Sequence, residues 1–430
     1  MKQFLISILV LTMSFVGWAE ASAPAAQTVL DCFVNGEYDV VYEQMSEQAR
    51  AAVSTDALEA AWTQINSQQG SLINVEFSQA EGYSAAIMVF ENGLLQLTVG
   101  TNAEGEIETL LFQPLQPSAV VNDRERPENA EIRETKLFAG TGKELNAEII
   151  APEGCEVWAV LVHGSGPSDM DETIGSCMPF RDLAYDLAVK GVGTIRFDKM
   201  SLVHPEQTQT LADEYLTPVA EALRVLKTET GAEKVIAIGH SQGGMLMPWL
   251  VSECGFDGGV ALAGTPKQLW EISYQQNLAI METMTGDQLA AAQAQVEAEV
   301  QKAQSLDALE NTDTVFGLPA GYLKEMAALD QIELAKSAGV PMLFMWGEKD
   351  FQVSRDDFEA WIDGLTGADA FTFIEYGNLN HLFMEAQEGD SIVNAAAVYD
   401  RGGQMDSSVA ADIAEWLREC GLCAKCGFIK

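Results

Sequence analysis

The chain has 430 residues, and its 64 Asp and Glu against 24 Lys and Arg give a formal charge of −40. A surface of that sign repels phosphate backbones and anionic membranes, which argues against nucleic-acid binding and leaves solubility or a salty medium as the plain explanation. Hydrophobic content of 47% with 20% charged residues suits a globular protein with a buried core, and the length allows two domains at roughly 150 residues each.

Residues 1–23 read as a secretory signal peptide. Lys2 supplies a positive start, Phe4 to Trp18 are mostly apolar, and Ala19-Glu20-Ala21 and Ala21-Ser22-Ala23 both fit small-x-small cleavage sites. The apolar stretch is short for a membrane span, with an uncleaved anchor as the alternative. No cysteine directly follows the small residues, so no lipoprotein signal is read. No later segment holds about 18 unbroken apolar residues, so the expected mature chain is soluble and secreted.

Residues 25–114 form the first expected domain. Val29, Cys32 and Phe33, then Leu58, Ala61, Trp62 and Ile65, recur at helical spacing. Alternating runs follow at 72–77, 83–91, 94–100 and 107–112, punctuated by Gly82, Asn92-Gly93 and Asn102 to Gly105 as in hairpins. This predicts a small α+β module with a curved antiparallel sheet. It contains no His and no catalytic constellation, so a structural or substrate-presenting role is expected. Residues 115–131, rich in Pro, Asn, Asp, Glu and Arg, read as a linker.

From residue 132 to 430 strands and helices alternate. Strands are expected at 132–138, 144–149, 157–162, 194–197, 234–238, 259–263, 341–346 and 371–375, with helices at 179–190, 211–230 and 242–254 between them. Such alternation implies an α/β fold with a mostly parallel sheet whose chemistry sits at the carboxyl ends of the strands. Residues 265–339 interrupt it with amphipathic helical sequence, too long for a plain loop, and are read as a helical cap. Of seven cysteines, Cys420, Cys423 and Cys426 form a C-x-x-C-x-x-C cluster. It lacks a fourth zinc ligand at ribbon spacing, so a local disulfide or loose thiols are expected.

Gly239-His240-Ser241-Gln242-Gly243 matches G-x-S-x-G. The string alone is weak evidence, but it follows the apolar run Val235 to Ile238 and opens a helix, the strand–turn–helix setting of a nucleophile elbow. Glycine at both flanks spares a crowded turn a Cβ, Gly244 adds room, and the helix N-terminus sets positive charge beside a developing oxyanion. A serine hydroxyl needs a base, and the base needs an orienting acid. Four histidines exist. His240 adjoins the nucleophile and should point away from it, His163 belongs to another loop, and His204 lies in a polar connection where an exposed side chain is expected. His381, just after the last core strand, remains as the base. Asp350 follows the strand after the cap and is read as the acid, with Glu348 in reserve. The order Ser, Asp, His is that of the α/β hydrolases. His163-Gly164-Ser165-Gly166-Pro167 follows a core strand, so the backbone amides of Ser165 and Gln242 are the expected oxyanion donors.

These strings carry a resemblance. Residues 163–172 (His-Gly-Ser-Gly-Pro-Ser-Asp-Met-Asp-Glu), Arg196-Phe-Asp-Lys199, Gly239 to Gly244 and Trp346 to Val353 resemble the α/β-hydrolase esterases related to cinnamoyl esterases and dienelactone-hydrolase-like enzymes, over about residues 130–420. Residues 25–114 resemble, in pattern and position, a small cone-shaped domain that often precedes secreted hydrolases. The resemblance implies hydrolysis of a small-molecule acyl ester through an acyl-enzyme, without a cofactor. Met200-Ser201-Leu202 departs from the Arg-Gly continuation usual in relatives, so substrate preference stays open. A peptidase or acyl-peptide hydrolase, a thioesterase, and a silent ligand-binding module are the rival readings. No blade-length repeat supports the first, a secreted chain suits the second poorly, and the intact Ser, Asp and His oppose the third.

Overall fold

The computed structural model describes residues 25–69, 72–80, 83–90, 93–102, 104–115, 124–205, 208, 210–282 and 284–427. The signal-peptide reading of residues 1–23, and residues 116–123 of the expected linker, lie outside the described residues. The described chain falls into two compact units, one within residues 25–115 and one within 124–427.

The smaller unit opens with helices α1 (Ala25–Asn35), α2 (Tyr38–Glu43), α3 (Glu47–Ala52) and α4 (Thr55–Gln69). An antiparallel sheet follows, made of β1 (Leu72–Ala80), β2 (Tyr83–Phe90), β3 (Gly93–Thr101) and β4 (Ile107–Leu115) in sequence order. Side chains alternate across a strand, so Ala86 and Met88 of β2 and Leu95, Leu97 and Val99 of β3 are buried together. They meet Val29, Leu30 and Phe33 of α1 and Leu58 and Trp62 of α4, with Phe33, Trp62 and Phe112 forming an aromatic cluster.

The larger unit runs β5 (Ala130–Leu137), β6 (Leu145–Pro152), β7 (Val157–Val162), α5 (Pro179–Val189), β8 (Val192–Phe197) and α6 (Met200–Val203). A π-helical turn (Ala212–Leu216), α7 (Thr217–Thr230), β9 (Val235–His240), α8 (Gln242–Met245), α9 (Met247–Cys254) and β10 (Gly259–Leu262) come next. Then follow α10 (Leu269–Met281), α11 (Gly286–Gln304), a short antiparallel pair β11 (Thr314–Val315) and β12 (Leu318–Pro319), α12 (Ala320–Ala327) and α13 (Gln331–Ala338). The chain closes with β13 (Met342–Gly347), α14 (Arg355–Leu365), β14 (Phe371–Tyr376), α15 (Ala395–Asp400) and α16 (Ser407–Glu419).

Eight strands form one sheet in the order β14-β13-β10-β9-β7-β8-β6-β5. β8, β7, β9, β10, β13 and β14 are parallel, while β5 and β6 at one edge are antiparallel. The central strands are apolar throughout because both faces are covered. Trp158, Val160 and Val162 of β7 and Val235 and Ala237 of β9 pack on one face with α7, α9 and α14. Val157, Ala159, Leu161, Ile236 and Ile238 pack on the other with α5 and α16. This arrangement brings the carboxyl ends of β7, β9, β13 and β14 to one edge, where the loops carrying Ser165, Ser241, Asp350 and His381 emerge.

Two details depart from the sequence reading. The segment from Arg124 onward is attached to the larger unit, with Arg124 paired to Asp186 of α5 and the Asn129 side chain donating to the Ala188 carbonyl. Within 265–339, α13 packs on α9 and α14 and so belongs to the helical layer. The Asp330 side chain caps its start and Gly339 ends it in a left-handed turn. In the terminal cluster Cys423 and Cys426 form the local disulfide that is one of the two expected outcomes, while Cys420 remains a thiol.

Candidate active site

Ser241 sits between β9 and α8 with φ 52° and ψ −114°, a conformation non-glycine residues adopt only when their surroundings force it. The forcing is visible. The Ser241 amide donates to the Leu262 carbonyl at 2.8 Å, and the Ser241 carbonyl accepts from Met245 N at 2.8 Å. A Cβ on Gly239 would lie 2.3 Å from the Gly243 carbonyl oxygen, and one on Gly243 would lie 2.3 Å from the Val162 carbonyl oxygen. Both positions therefore admit only glycine. Gln242 is the first residue of α8, so its amide has no intrahelical acceptor and is free to meet a ligand.

His381 lies in the loop after β14 and is 2% exposed. Its Nδ1 is 2.7 Å from Asp350 Oδ2, while Asp350 Oδ1 accepts from the amides of Gln352 (2.7 Å) and Val353 (2.9 Å). The Asp350 side chain is fully buried, and its oxygens have donors that fix the carboxylate and, through it, the imidazole. His381 is held against the elbow by its own carbonyl, 2.9 Å from His240 Nε2, with the two rings 4.8 Å apart. Glu348, the reserve acid, is half-exposed and paired with Arg355 at 2.9 Å.

Ser165 follows β7 and lines the same cavity as Ser241 and Gln242. The cavity measures about 70 Å³, with Leu269, Ile272, Phe316 and Leu318 of the cap supplying apolar wall and Ser273 and Gln276 polar wall. Among the described residues no group of three or more His, Cys, Asp or Glu could hold a metal ion.

Around these residues lies a buried polar shell that sequence reading did not assign. Glu172, 3% exposed, accepts from the Gly164 amide at 2.6 Å and pairs with His240 Nδ1 at 3.1 Å. Burial alone would raise the Glu172 pKa and lower that of His240. The mutual attraction of the two charges outweighs it, so Glu172 lies below and His240 above the ordinary range. His163 is fully enclosed with Nε2 2.9 Å from the Asp169 carbonyl, and burial pushes its pKa down to about 4. His204, expected to be exposed, is half-buried with Nε2 3.4 Å from the Glu144 carbonyl. Lys199, 1% exposed, reaches the Gly164 and Gly166 carbonyls on either side of Ser165. Glu172 and Lys199 both lie inside the segments 163–172 and 196–199 that carry the resemblance, and a charge closing an apolar strand was the available signal for Lys199.

A mostly parallel sheet with this strand order, a strained serine at the strand–helix turn and a His–Asp pair on later loops define a hydrolase of the α/β class. The chain belongs to the Alpha/beta hydrolase family, whose model matches residues 159–395. It is 28% identical over 400 residues to Esterase EstD of Thermotoga maritima, covering 88% of this chain and 91% of that one. Among solved structures it is similar to an esterase of Pyrococcus furiosus, at 11% identity and TM-score 0.42, covering 68% of this chain and 91% of that one. It is also similar to Est1E of Butyrivibrio proteoclasticus, at 14% identity and TM-score 0.40, covering 62% and 96% respectively.

Proposed function

We propose that the protein is an exported serine esterase that cleaves small carboxylic esters with short acyl groups. Esterase EstD, matched over nine-tenths of its length, supports the ester as the bond cleaved. The observation that carries the mechanism is the pairing of His381 with buried Asp350 beside the strained Ser241 turn. In this reading His381 takes the proton of Ser241 as Oγ attacks the acyl carbon, and the Ser165 and Gln242 amides hold the resulting oxyanion. Collapse breaks the bond to the alkoxy group, which leaves as the alcohol with the proton from His381. Water, deprotonated by the same imidazole, then cleaves the acyl-Ser241 ester and frees the acid. Asp350 keeps the His381 tautomer and stabilises the imidazolium. The Cys423–Cys426 disulfide supports export, because such bonds persist in oxidising compartments. A cavity of about 70 Å³ supports short acyl groups.

The test is turnover of a p-nitrophenyl ester series, from acetate upward, by the parent protein and Ser241→Ala. The parent should favour the shortest esters, and the variant should lose about 10⁴-fold or more in kcat. Equal turnover by the two proteins would remove Ser241 from the mechanism.

A further inference from the structure

The polar shell behind the oxyanion site is organised around one carboxylate. Glu214 Oε1 lies 2.8 Å from Lys199 Nζ, and Glu214 Oε2 accepts from the Tyr322 hydroxyl at 2.6 Å. Lys199 Nζ in turn donates to the Gly164 carbonyl at 2.6 Å and the Gly166 carbonyl at 3.0 Å, the two peptide groups that flank Ser165. Tyr215 adds a second donor to the Gly164 carbonyl at 2.9 Å. On the other side, the Tyr322 hydroxyl accepts from the Gln242 side chain at 2.8 Å. Lys199, Glu214, Tyr215, Tyr322 and Gln242 are all buried. Tyr322 belongs to α12 of the cap, whereas Lys199 follows β8 of the core.

We propose that Lys199, Glu214 and Tyr322 are positioning residues that set the Ser165 and Gln242 amides and make their alignment depend on the seating of cap helix α12. The inference rests on the serine-esterase reading of Ser241 and extends it to residues that do not touch substrate. Lys199 fixes the loop holding one oxyanion donor, and Tyr322 fixes the residue holding the other. Glu214 joins them. Glu214 and Tyr215 are the buried residues of the π-helical turn at Ala212–Leu216, and such turns recur at functional sites. A buried ion pair adds little stability over apolar packing of the same volume, so the geometry it imposes is the better account of its presence. Burial raises the Tyr215 and Tyr322 pKa values well above the ordinary phenol range, so both hydroxyls stay protonated and remain donors. A lid helix that completes the oxyanion site only when seated would confine the active geometry to the closed, dry cavity.

The experiment uses the full-length protein with Tyr322→Phe, which removes one hydroxyl and no charge, and the double variant Lys199→Met/Glu214→Gln, which removes both charges together and leaves no buried ion unpaired. Ser241→Ala is assayed beside them. Kinetics on p-nitrophenyl acetate are paired with inhibition by a trifluoromethyl ketone, whose serine adduct carries a tetrahedral oxyanion. Each variant should lose about tenfold or more in kcat, with KM changed by less than about twofold, because displaced donors weaken transition-state binding. The ketone inhibition constant should rise in parallel, a change that loss of fold stability alone would not produce. Parent-like kcat and ketone inhibition, or a raised KM with kcat intact, would overturn the inference while Ser241→Ala remained inactive. Parent-like turnover by Ser241→Ala would instead overturn the esterase reading, and the inference with it.

Discussion

At the scale of single residues, the site depends on side chains held in one ionisation state by their surroundings. His163 is the sharpest case. It is enclosed at the start of the loop that carries Ser165, with its ring against Phe180 and Phe197, and burial pushes its pKa down to about 4. The unfolded chain takes up this proton near pH 6.5, so between about pH 6.5 and 4 the unfolded state binds more protons than the folded one. Stability from His163 is therefore present above that window and falls as pH drops through it. The loss is on the order of 3 kcal/mol. A His163→Gln variant, which cannot titrate, should lose less stability than the parent between pH 7 and pH 4.5 in urea unfolding. The same pH dependence in both proteins would show that His163 takes up its proton as readily in the fold as in the unfolded chain. Glu172 contributes with the same sign, since its lowered pKa gives stability above its unfolded value that is lost as pH falls through the folded one. His240 contributes oppositely, because its raised pKa gives stability below its unfolded value that is lost as pH rises through the folded one.

At the scale of elements, the cap sets what can reach Ser241. Leu318 of β12 is 3% exposed and faces the cavity, and Phe316 lines it from the turn between β11 and β12. Truncating a buried leucine leaves space that its neighbours fill only in part. Leu318→Ala should therefore shift the chain-length profile, raising the ratio of kcat/KM for hexanoate over acetate esters by about tenfold, the scale of one or two added methylenes in a pocket. An unchanged ratio would place the acyl group elsewhere. The cap, the sheet and the elbow were legible in sequence because each rests on local pattern. Val235 to Ile238 is an unbroken apolar run, Gly239 and Gly243 bracket the turn, and the loops with Asp350 and His381 each follow a recognisable strand. The supporting shell was not legible. Lys199, Glu214 and Tyr322 come from a loop, a π turn and a cap helix, and only the folded chain brings them together. The end of the cap was also hidden, since α13 has the same amphipathic character as the helices before it and differs only in packing on α9 and α14.

At the scale of the whole molecule, charge is the dominant unbalanced quantity. Even if every Lys and Arg were paired with an acid, about forty carboxylates would be left, equal to the formal charge of −40. Several ion pairs seen at the surface, such as Lys336–Glu333 and Arg355–Glu359, are half-exposed, and pairs of this kind contribute about 0–1 kcal/mol each. Like-charge repulsion acts on the compact state more than on the expanded chain, so it opposes folding. Added salt shortens its reach, from about 10 Å at 0.1 M to about 3 Å at 1 M. Lowering the pH toward the sequence pI of about 4.2 would also reduce the charge, but it crosses the window in which His163 takes up its proton. Salt at fixed neutral pH isolates the repulsion. The midpoint of thermal unfolding should rise as sodium chloride increases from 0.05 to about 1 M at pH 7, most steeply at the low end where the screening length changes fastest. A falling midpoint would mean that local pairs outweigh the net charge. Buried pairs such as Lys199–Glu214 and His381–Asp350 lie largely beyond the reach of salt, so kcat should change far less than the melting temperature over the same series.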